Sequence, residues 1–320
     1  MHLNGVIIED EFAEAFRMWA ARLVVTAIDA HWVQTAVHQV TGYGTSVIGC
    51  DAEAGLERTL APRETPDGRP GAAVLLFAFN AKALSKSVPA RTGQCLLTCP
   101  TTAVYDGLPD VVPSEDTARI DLGRTLRFFG DGFQKSKVIG YSSRGRGPGP
   151  DQRRYWRVPV MDGEFVVEES AGAVKAIGGG NFLVCGTDQS RTLQASMRAI
   201  GALRDRPDII TPFPGGIVRS GSKVGSRSRG LVASTNDAYC PTLRSRVETR
   251  LRPEVNCVYE IVINGLNETA IRDAIRSGIE AAIEPPADGV VAISAGNYGG
   301  KLGKFHFKLH EILKDAHSGS

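Results

Sequence analysis

A single carboxylate, Glu260, sits in the middle of the apolar run NCVYEIVING (256–265). In an extended strand Tyr259, Ile261 and Ile263 share one face, while Val258, Glu260, Val262 and Asn264 share the other. Both faces read as buried, and a carboxylate withdrawn from water either finds a partner or holds its proton to higher pH. Glu260 is therefore paired, protonated or at work. A salt bridge to one of the many arginines is the plain reading. A perturbed carboxyl acting as general acid and base in a group transfer is the chemical one.

Two Gly-rich stretches carry cations that could hold an anionic ligand. The segment GGIVRSGSK (215–223) nearly matches a phosphate-cradling loop, but Ser222 intervenes before Lys223 and no helical period follows. An ATPase is thus disfavoured. The turn imposed by Pro and Gly is one reading of this stretch. The other is a substrate rim in which Gly215, Gly216, Arg219, Ser220 and Lys223 present amides and cations to a carboxylate or phosphate. In SAGNYGGKLGK (294–304), Asn297, Tyr298 and Lys301 pose the same choice between a ligand-facing loop and a bend between strands. GGGNF (178–182) is a weaker third case.

Metal chemistry finds no complete ligand set. His306 and His310 in FHFKLH have helical zinc spacing, yet Phe305, Phe307 and Leu309 alternate with polar residues, which is strand periodicity. His31 and His38 share a helical face without an acidic or Cys partner. No nucleophile elbow or Cys-His signature is present. The chain therefore reads as having no metal and no prosthetic group.

The elements that must position these residues follow a β-α-β rhythm. RLVVTAID (22–29), a helix over 31–43 and TSVIGC (45–50) form one unit; AAVLLFAFN (72–80), a helix over 81–97 and TTAVYDG (101–107) form a second. NFLVCG (181–186), a helix over 187–204 and DIITPFPGGIV (208–218) form a third, and VYEIVING (258–265), a helix over 267–283 and GVVAISAGN (289–297) the fourth. Two such units per half suit an α+β architecture of two ferredoxin-like sandwich lobes, with an internal duplication. The Gly/Pro/Arg-rich SSRGRGPGPDQRRYW (142–156) marks the junction, giving lobes of 1–150 and 151–320, with Glu260 in the second.

The 320 residues suffice for two such cores, and 42% hydrophobic with 22% charged residues describes a globular enzyme. A net charge of +2 does not point to nucleic acid, and no apolar stretch reaches a membrane span. The acidic N-terminus lacks a secretory pattern, so a cytoplasmic location is expected. Six scattered cysteines without a CxxC pair suit neither a disulfide framework nor a zinc site.

The chain resembles the formylmethanofuran:tetrahydromethanopterin formyltransferase family. The likeness runs through NGVIIEDEFAEAF, TSVIGCDAEAGLER (45–58), ETPDGRPG (64–71), GQCLLTCPTTAVYDGLP (93–109) and RFFGDG (127–132). It continues through ITPFPGGIVRSGSK (210–223), VNCVYEIVINGL (255–266) and ISAGNYGGKLGKFHFKLHE (293–311). The resemblance implies two ferredoxin-like lobes and transfer of a formyl group between N5 of tetrahydromethanopterin and the amine of methanofuran or an analogue. These two C1 carriers would be cosubstrates. It also implies that the family's catalytic glutamate corresponds to Glu260.

The Arg-over-Lys bias and the long 142–155 stretch resemble the bacterial branch, where the homologous chain is the D subunit of a formyltransferase/hydrolase complex used to carry formyl groups towards formate. The implied partners are further copies of the chain, as a dimer or dimer of dimers, and formyl-hydrolase subunits. A non-catalytic subunit that binds a carrier and organises the hydrolase is the alternative.

Overall fold

The computed structural model describes residues 1–123, 126, 136–140, 153–221 and 236–314. Its strands begin with β1 (His2–Leu3), β2 (Val6–Ile8), β3 (Phe12–Thr26), β4 (Glu53–Leu60), β5 (Gly71–Ala78), β6 (Ala103–Asp106), β7 (Thr117–Asp121) and β8 (Ser136–Gly140). They continue with β9 (Arg153–Val160), β10 (Gly163–Glu168), β11 (Ser170–Gly186), β12 (Ile209–Ile210), β13 (Cys257–Gly265), β14 (Val290–Ser294) and β15 (Phe305–Lys308). The helices are α1 (Ala30–Thr41), α2 (Ala81–Arg91), α3 (Gln189–Leu203), α4 (Glu268–Ala282) and α5 (Leu309–Lys314).

The chain divides into two compact units, Met1–Arg17 with Ile177–Ser320, and Met18–Ala176. Both boundaries fall inside continuous strands, β3 and β11, whereas the sequence pattern puts its junction at 150/151. An alternating strand pattern carries no punctuation where the chain passes from one core to another. Of the 142–156 stretch, residues 142–152 lie outside the described residues, as does the RFFGDG block at 127–132.

In the unit of residues 18–176, β3-α1-β4-β5-α2-β6 form an antiparallel sheet in the order β4-β5-β3-β6. In the other unit, β11-α3-β12-β13-α4-β14 give β12-β13-β11-β14, again antiparallel. Numbered within each unit, both orders are 2-3-1-4. That is the ferredoxin-like arrangement, realised twice. The likeness extends outward, since β10 joins β6 in parallel and β2 joins β14 in parallel.

Helix starts repeat as well. Asp29 and Asp188 cap the first helix of each unit by accepting the amides of Trp32 and Arg191 at 3.0 Å. Asn80 and Asn267 cap the second by accepting those of Ala83 and Ala270 at 2.8 Å. Each side chain satisfies a donor that the first helical turn leaves open.

One apolar face of each helix covers its sheet. Val33, Ala36, Val37 and Val40 of α1 and Leu84 and Val88 of α2 share a core with Leu23, Val25, Val74 and Leu76. Ala195, Ala199 and Leu203 of α3 and Ile271, Ile275 and Ile279 of α4 close on Phe182, Val184, Ile261 and Ile263. All of these are at most 6% exposed, so both cores are dry and the sheet edges and connections are free to vary.

Four sequence expectations change. TSVIGC (45–50) is a turn, in which Gly49 and Cys50 both donate their amides to the Ser46 carbonyl, and the strand is β4 instead. Its inward positions include Glu57, which takes a two-pronged bond from Arg22 at 2.6 Å, so a buried ion pair masks the apolar alternation. The proposed strand 208–218 reduces to Ile209–Ile210 followed by a short 3-10 turn at Pro214–Gly216, because Pro212 and Pro214 have no amide to donate. The helix over 81–97 stops at Arg91 and continues as a wider turn over Thr92–Leu96. The FHFKLH strand ends at Lys308, where α5 begins. None of the described helices is long and apolar enough to cross a membrane.

Candidate active site

Glu260 lies on β13, the strand between β12 and β11. The strand is buried at Ile261 and from Ile263 to Gly265, but Cys257–Glu260 and Val262 are only half-buried, so the reading of two fully covered faces holds for its last three residues alone. The carboxyl itself is crowded on all sides, and that burial pushes its pKa up; hydrogen bonds from Ser220 and Asn236 pull it partly back. Ser220 Oγ donates to Oε2, and Asn236 Nδ2 reaches the same oxygen at 3.3 Å. Among the described residues no cation forms an ion pair with Glu260. A carboxyl whose pKa is raised by burial, while a hydroxyl and a carboxamide hold one of its oxygens, can both give and take a proton, which is what general acid-base chemistry requires.

The backbone explains why Ser220 arrives there. Val218 and Glu260 exchange both amide-carbonyl hydrogen bonds at 2.9 Å, an isolated antiparallel bridge that holds the 217–220 segment against β13. Directly opposed residues share a face, which puts Val218 and Ser220 on the Glu260 side and Arg219 on the Tyr259 side. The 3-10 turn at Pro214–Gly216, with Gly215 at φ 63° and Gly216 at φ 78°, delivers the chain to that edge.

On the Tyr259 side an open groove of about 560 Å³ runs between α3 and the 214–219 segment. Leu193, Met197 and Ile200 line its helical wall, and Pro214, Arg219 and Tyr259 the other, with Gly215 at the rim. Met197 is 59% exposed there. The groove and the Glu260 carboxyl therefore occupy opposite faces of one strand. Gly216 is buried, and a Cβ on it would meet Ile200 Cδ1 at 2.5 Å, so it serves the turn and not the groove.

The 294–303 connection is tied down from three directions. Tyr239 Oη lies 3.3 Å from Ser294 Oγ and from the Ala295 carbonyl. Asn181 accepts the Gly296 amide at 2.6 Å and donates to the Gly296 carbonyl at 3.1 Å. Asn297 donates to Glu11 Oε2 at 2.9 Å and to the Phe12 carbonyl at 3.2 Å, while accepting the Gly299 amide. Its carboxamide is thus engaged with the fold. Tyr298 is half-buried, packs edge-on to Phe16 with ring centroids 6.0 Å apart, and has its pKa raised by burial and by the charges of Glu260 and Glu14. Lys301 is exposed on the same loop. The GGGNF stretch lies inside β11 at a register shift between Ile177 and Gly180, where Asn264 accepts the Gly179 amide at 2.9 Å.

The structure thus brings Ser220 to Glu260, stands Tyr298 against Phe16, turns Arg219 and Gly215 to the groove, and uses Asn297 and Gly216 in the fold; Lys223 lies outside the described residues. Asn236 and Glu14 were missed. Nothing in their local sequence links them to Glu260 or to the 294–303 loop, because each contact spans at least 24 residues. His306 packs on Phe12 at 5.0 Å, whereas His310 Nε2 faces the Ile8 carbonyl at 2.8 Å, so the two imidazoles go separate ways. Among the described residues no cluster of three His, Cys, Asp or Glu is placed to hold a metal ion.

The family profile for formylmethanofuran-tetrahydromethanopterin formyltransferase matches residues 1–160, and that for its proximal lobe matches residues 163–312. The formylmethanofuran–tetrahydromethanopterin formyltransferase of Methylococcus capsulatus is 53% identical over 314 residues, covering 98% of this chain and all of the relative. The D subunit of the formyltransferase/hydrolase complex of Methylorubrum extorquens is 48% identical, covering 98% and 97%. The crystal structure of the Methylorubrum extorquens formyltransferase/hydrolase complex with methylofuran contains a chain that superimposes with a TM-score of 0.89 at 47% identity, covering 98% of each. With family profiles matching both halves and relatives about half identical from end to end, the chain belongs to the formylmethanofuran:tetrahydromethanopterin formyltransferase family.

Proposed function

We propose that Glu260 handles the proton in the formyl transfer that this enzyme carries out between N5 of tetrahydromethanopterin and the amine of methanofuran. The observation that carries this role is a crowded carboxyl whose pKa is pushed up by burial while Ser220 and Asn236 hold one of its oxygens. In the transfer, an amine nitrogen attacks the formyl carbon of the other carrier's formamide. A C–N bond forms, and the carbonyl oxygen takes up negative charge in a tetrahedral intermediate. Glu260, protonated, stabilises that oxygen or protonates the departing nitrogen; as carboxylate, it accepts the proton the attacking amine sheds. The old C–N bond then breaks with the pair going to the leaving amine. No covalent enzyme intermediate is required.

Carrier tails that bear carboxylates would be drawn by Arg219 and Lys301, and by Lys223 outside the described residues. The relative whose structure holds methylofuran supports acceptance of methanofuran analogues. The relative that serves as the D component of a formyltransferase/hydrolase complex supports docking onto hydrolase subunits, with the product formyl carrier passed on towards formate. Self-association as a dimer or dimer of dimers, and a cytoplasmic site of action, complete the reading. The deciding assay follows formyl exchange between the two purified carriers on the full chain. Glu260→Gln keeps the shape and loses proton exchange, so turnover should fall by about two orders of magnitude. Near-normal turnover in that variant would remove Glu260 from the chemistry.

A further inference from the structure

Glu14 is an acid in strand β3 that is only 2% exposed, and it sits under the 298–303 loop. Its Oε2 accepts the amides of Tyr298 at 2.6 Å and Gly300 at 2.9 Å; its Oε1 accepts those of Leu302 at 2.7 Å and Gly303 at 2.5 Å. Four donors match the acceptor capacity of one ionised carboxylate. Burial alone would raise its pKa, but the four amides outweigh that and lower it, so Glu14 is an anion throughout the neutral range.

Such a ring of convergent amides, with Gly299 at φ 71° and Gly300 at φ 72°, is built as an anion-binding nest. Here an internal carboxylate fills it. The loop is therefore shaped before any ligand arrives, and those four amides are not available to a substrate's phosphate or carboxylate. What the loop can still offer is side chains, and the charge of Glu260 acts on the Tyr298 phenol. The sheet register agrees: Leu183 pairs with both Glu260 and Ser294, so the loop departs from the same row of the sheet that carries the carboxyl.

We propose that Glu14 is a positioning residue of the formyl-transfer site, acting through Tyr298. The proposal rests on the role of Glu260 given above. By fixing the Tyr298 amide, Glu14 sets where the ring stands against Phe16. Tyr298 then presents a neutral O–H beside the site, suited to hold the formyl oxygen or the amine while Glu260 moves the proton. Gly303 completes the device, because a Cβ there would meet the Ala15 carbonyl at 2.5 Å and Glu14 Cγ at 2.7 Å.

The test is a double-mutant cycle of Glu14→Gln and Tyr298→Phe on the full chain, assayed with formylmethanofuran and tetrahydromethanopterin. The glutamine keeps the volume but turns two acceptor sites into donors. Each single variant should lower kcat about tenfold, with KM for both carriers within about twofold, since positioning acts on the bound complex. The pair should be no slower than Glu14→Gln alone, because one acts through the other. Tyr298→Phe should keep its melting temperature, and Glu14→Asp, with charge retained, should recover part of the rate even if the glutamine variant folds poorly. Losses that multiply, or a Glu14→Gln enzyme that melts earlier yet turns over normally, would overturn the proposal. Glu260→Gln measured alongside separates the two ideas: full activity in that variant removes the underlying reading, whereas its inactivity together with multiplying losses removes Glu14 alone.

Discussion

Val218 and Glu260 face each other across a two-bond bridge at 2.9 Å, and this backbone pairing places the Ser220 hydroxyl against Glu260 Oε2. The contact favours the ionised form of the carboxyl. It therefore trims the rise in pKa that burial imposes.

Ser220→Ala should accordingly move the Glu260 midpoint upward in the pH profile of kcat/KM. A hydrogen bond to a charged group contributes about 1.5–3 kcal/mol, so the shift should be about one to two pH units. An unchanged profile would mean that the hydroxyl does not act on the ionised carboxyl.

Glu260→Gln should separate activity from stability. A carboxyl whose folded pKa is raised contributes its stability below its unfolded pKa and loses it as pH rises through the folded value. The amide variant has no charge to bury, so at pH 8 it should melt no earlier than the parent and even later, and the difference should close towards pH 4. Thermal melts across that range read the sign directly.

Arg219→Ala and Lys301→Ala test the cationic approach of the carriers. Arg219 lines the groove and Lys301 is exposed, so each should act mainly on encounter and binding. KM for at least one carrier should rise several-fold at low ionic strength, and the gap from the parent should narrow as salt is added. Equal KM values and equal salt responses would argue that the tails bind elsewhere.

Gly303→Ala should destabilise the fold by about 1–3 kcal/mol, because its Cβ would press on the Ala15 carbonyl, which cannot retreat from a sheet. Gly201→Ala on the exposed side of α3 meets no atom within 4 Å and should instead stabilise by about 0.5–1 kcal/mol. The two melting temperatures, measured together, distinguish steric need from a general cost of substituting glycine.

Arg153→Met should be costly in the other unit. Arg153 grips Glu168 through Nε at 2.9 Å and Nη2 at 2.8 Å, and Glu168 is only 4% exposed. Without the guanidinium the carboxyl keeps the Asp106 amide at 2.7 Å but loses its cation, a cost on the order of 3 kcal/mol, and its already raised pKa should climb further. Denaturant unfolding checks the magnitude; a change below about 0.5 kcal/mol would show that solvent replaces the arginine.

Elements with a strong local period were legible in the amino-acid order. Helices α1, α3 and α4, strands β5 and β13, the doubled β-α-β rhythm and the isolation of Glu260 in an apolar strand were all legible, because each rests on side chains within a few residues of one another. The blocks around Glu260 and the two Gly-rich loops also carried the family resemblance. Other features depended on the tertiary structure. β4 was hidden because its inward Glu57 is neutralised by Arg22, which comes from a different strand. The division of the chain inside β3 and β11 leaves no local mark. Asn236 meets Glu260 across 24 residues, and Glu14 fills the nest of a loop 284 residues away. A carboxylate's partner is whichever donor the folded backbone brings within hydrogen-bonding distance, and that distance is set by sheet register and loop closure, not by spacing along the chain.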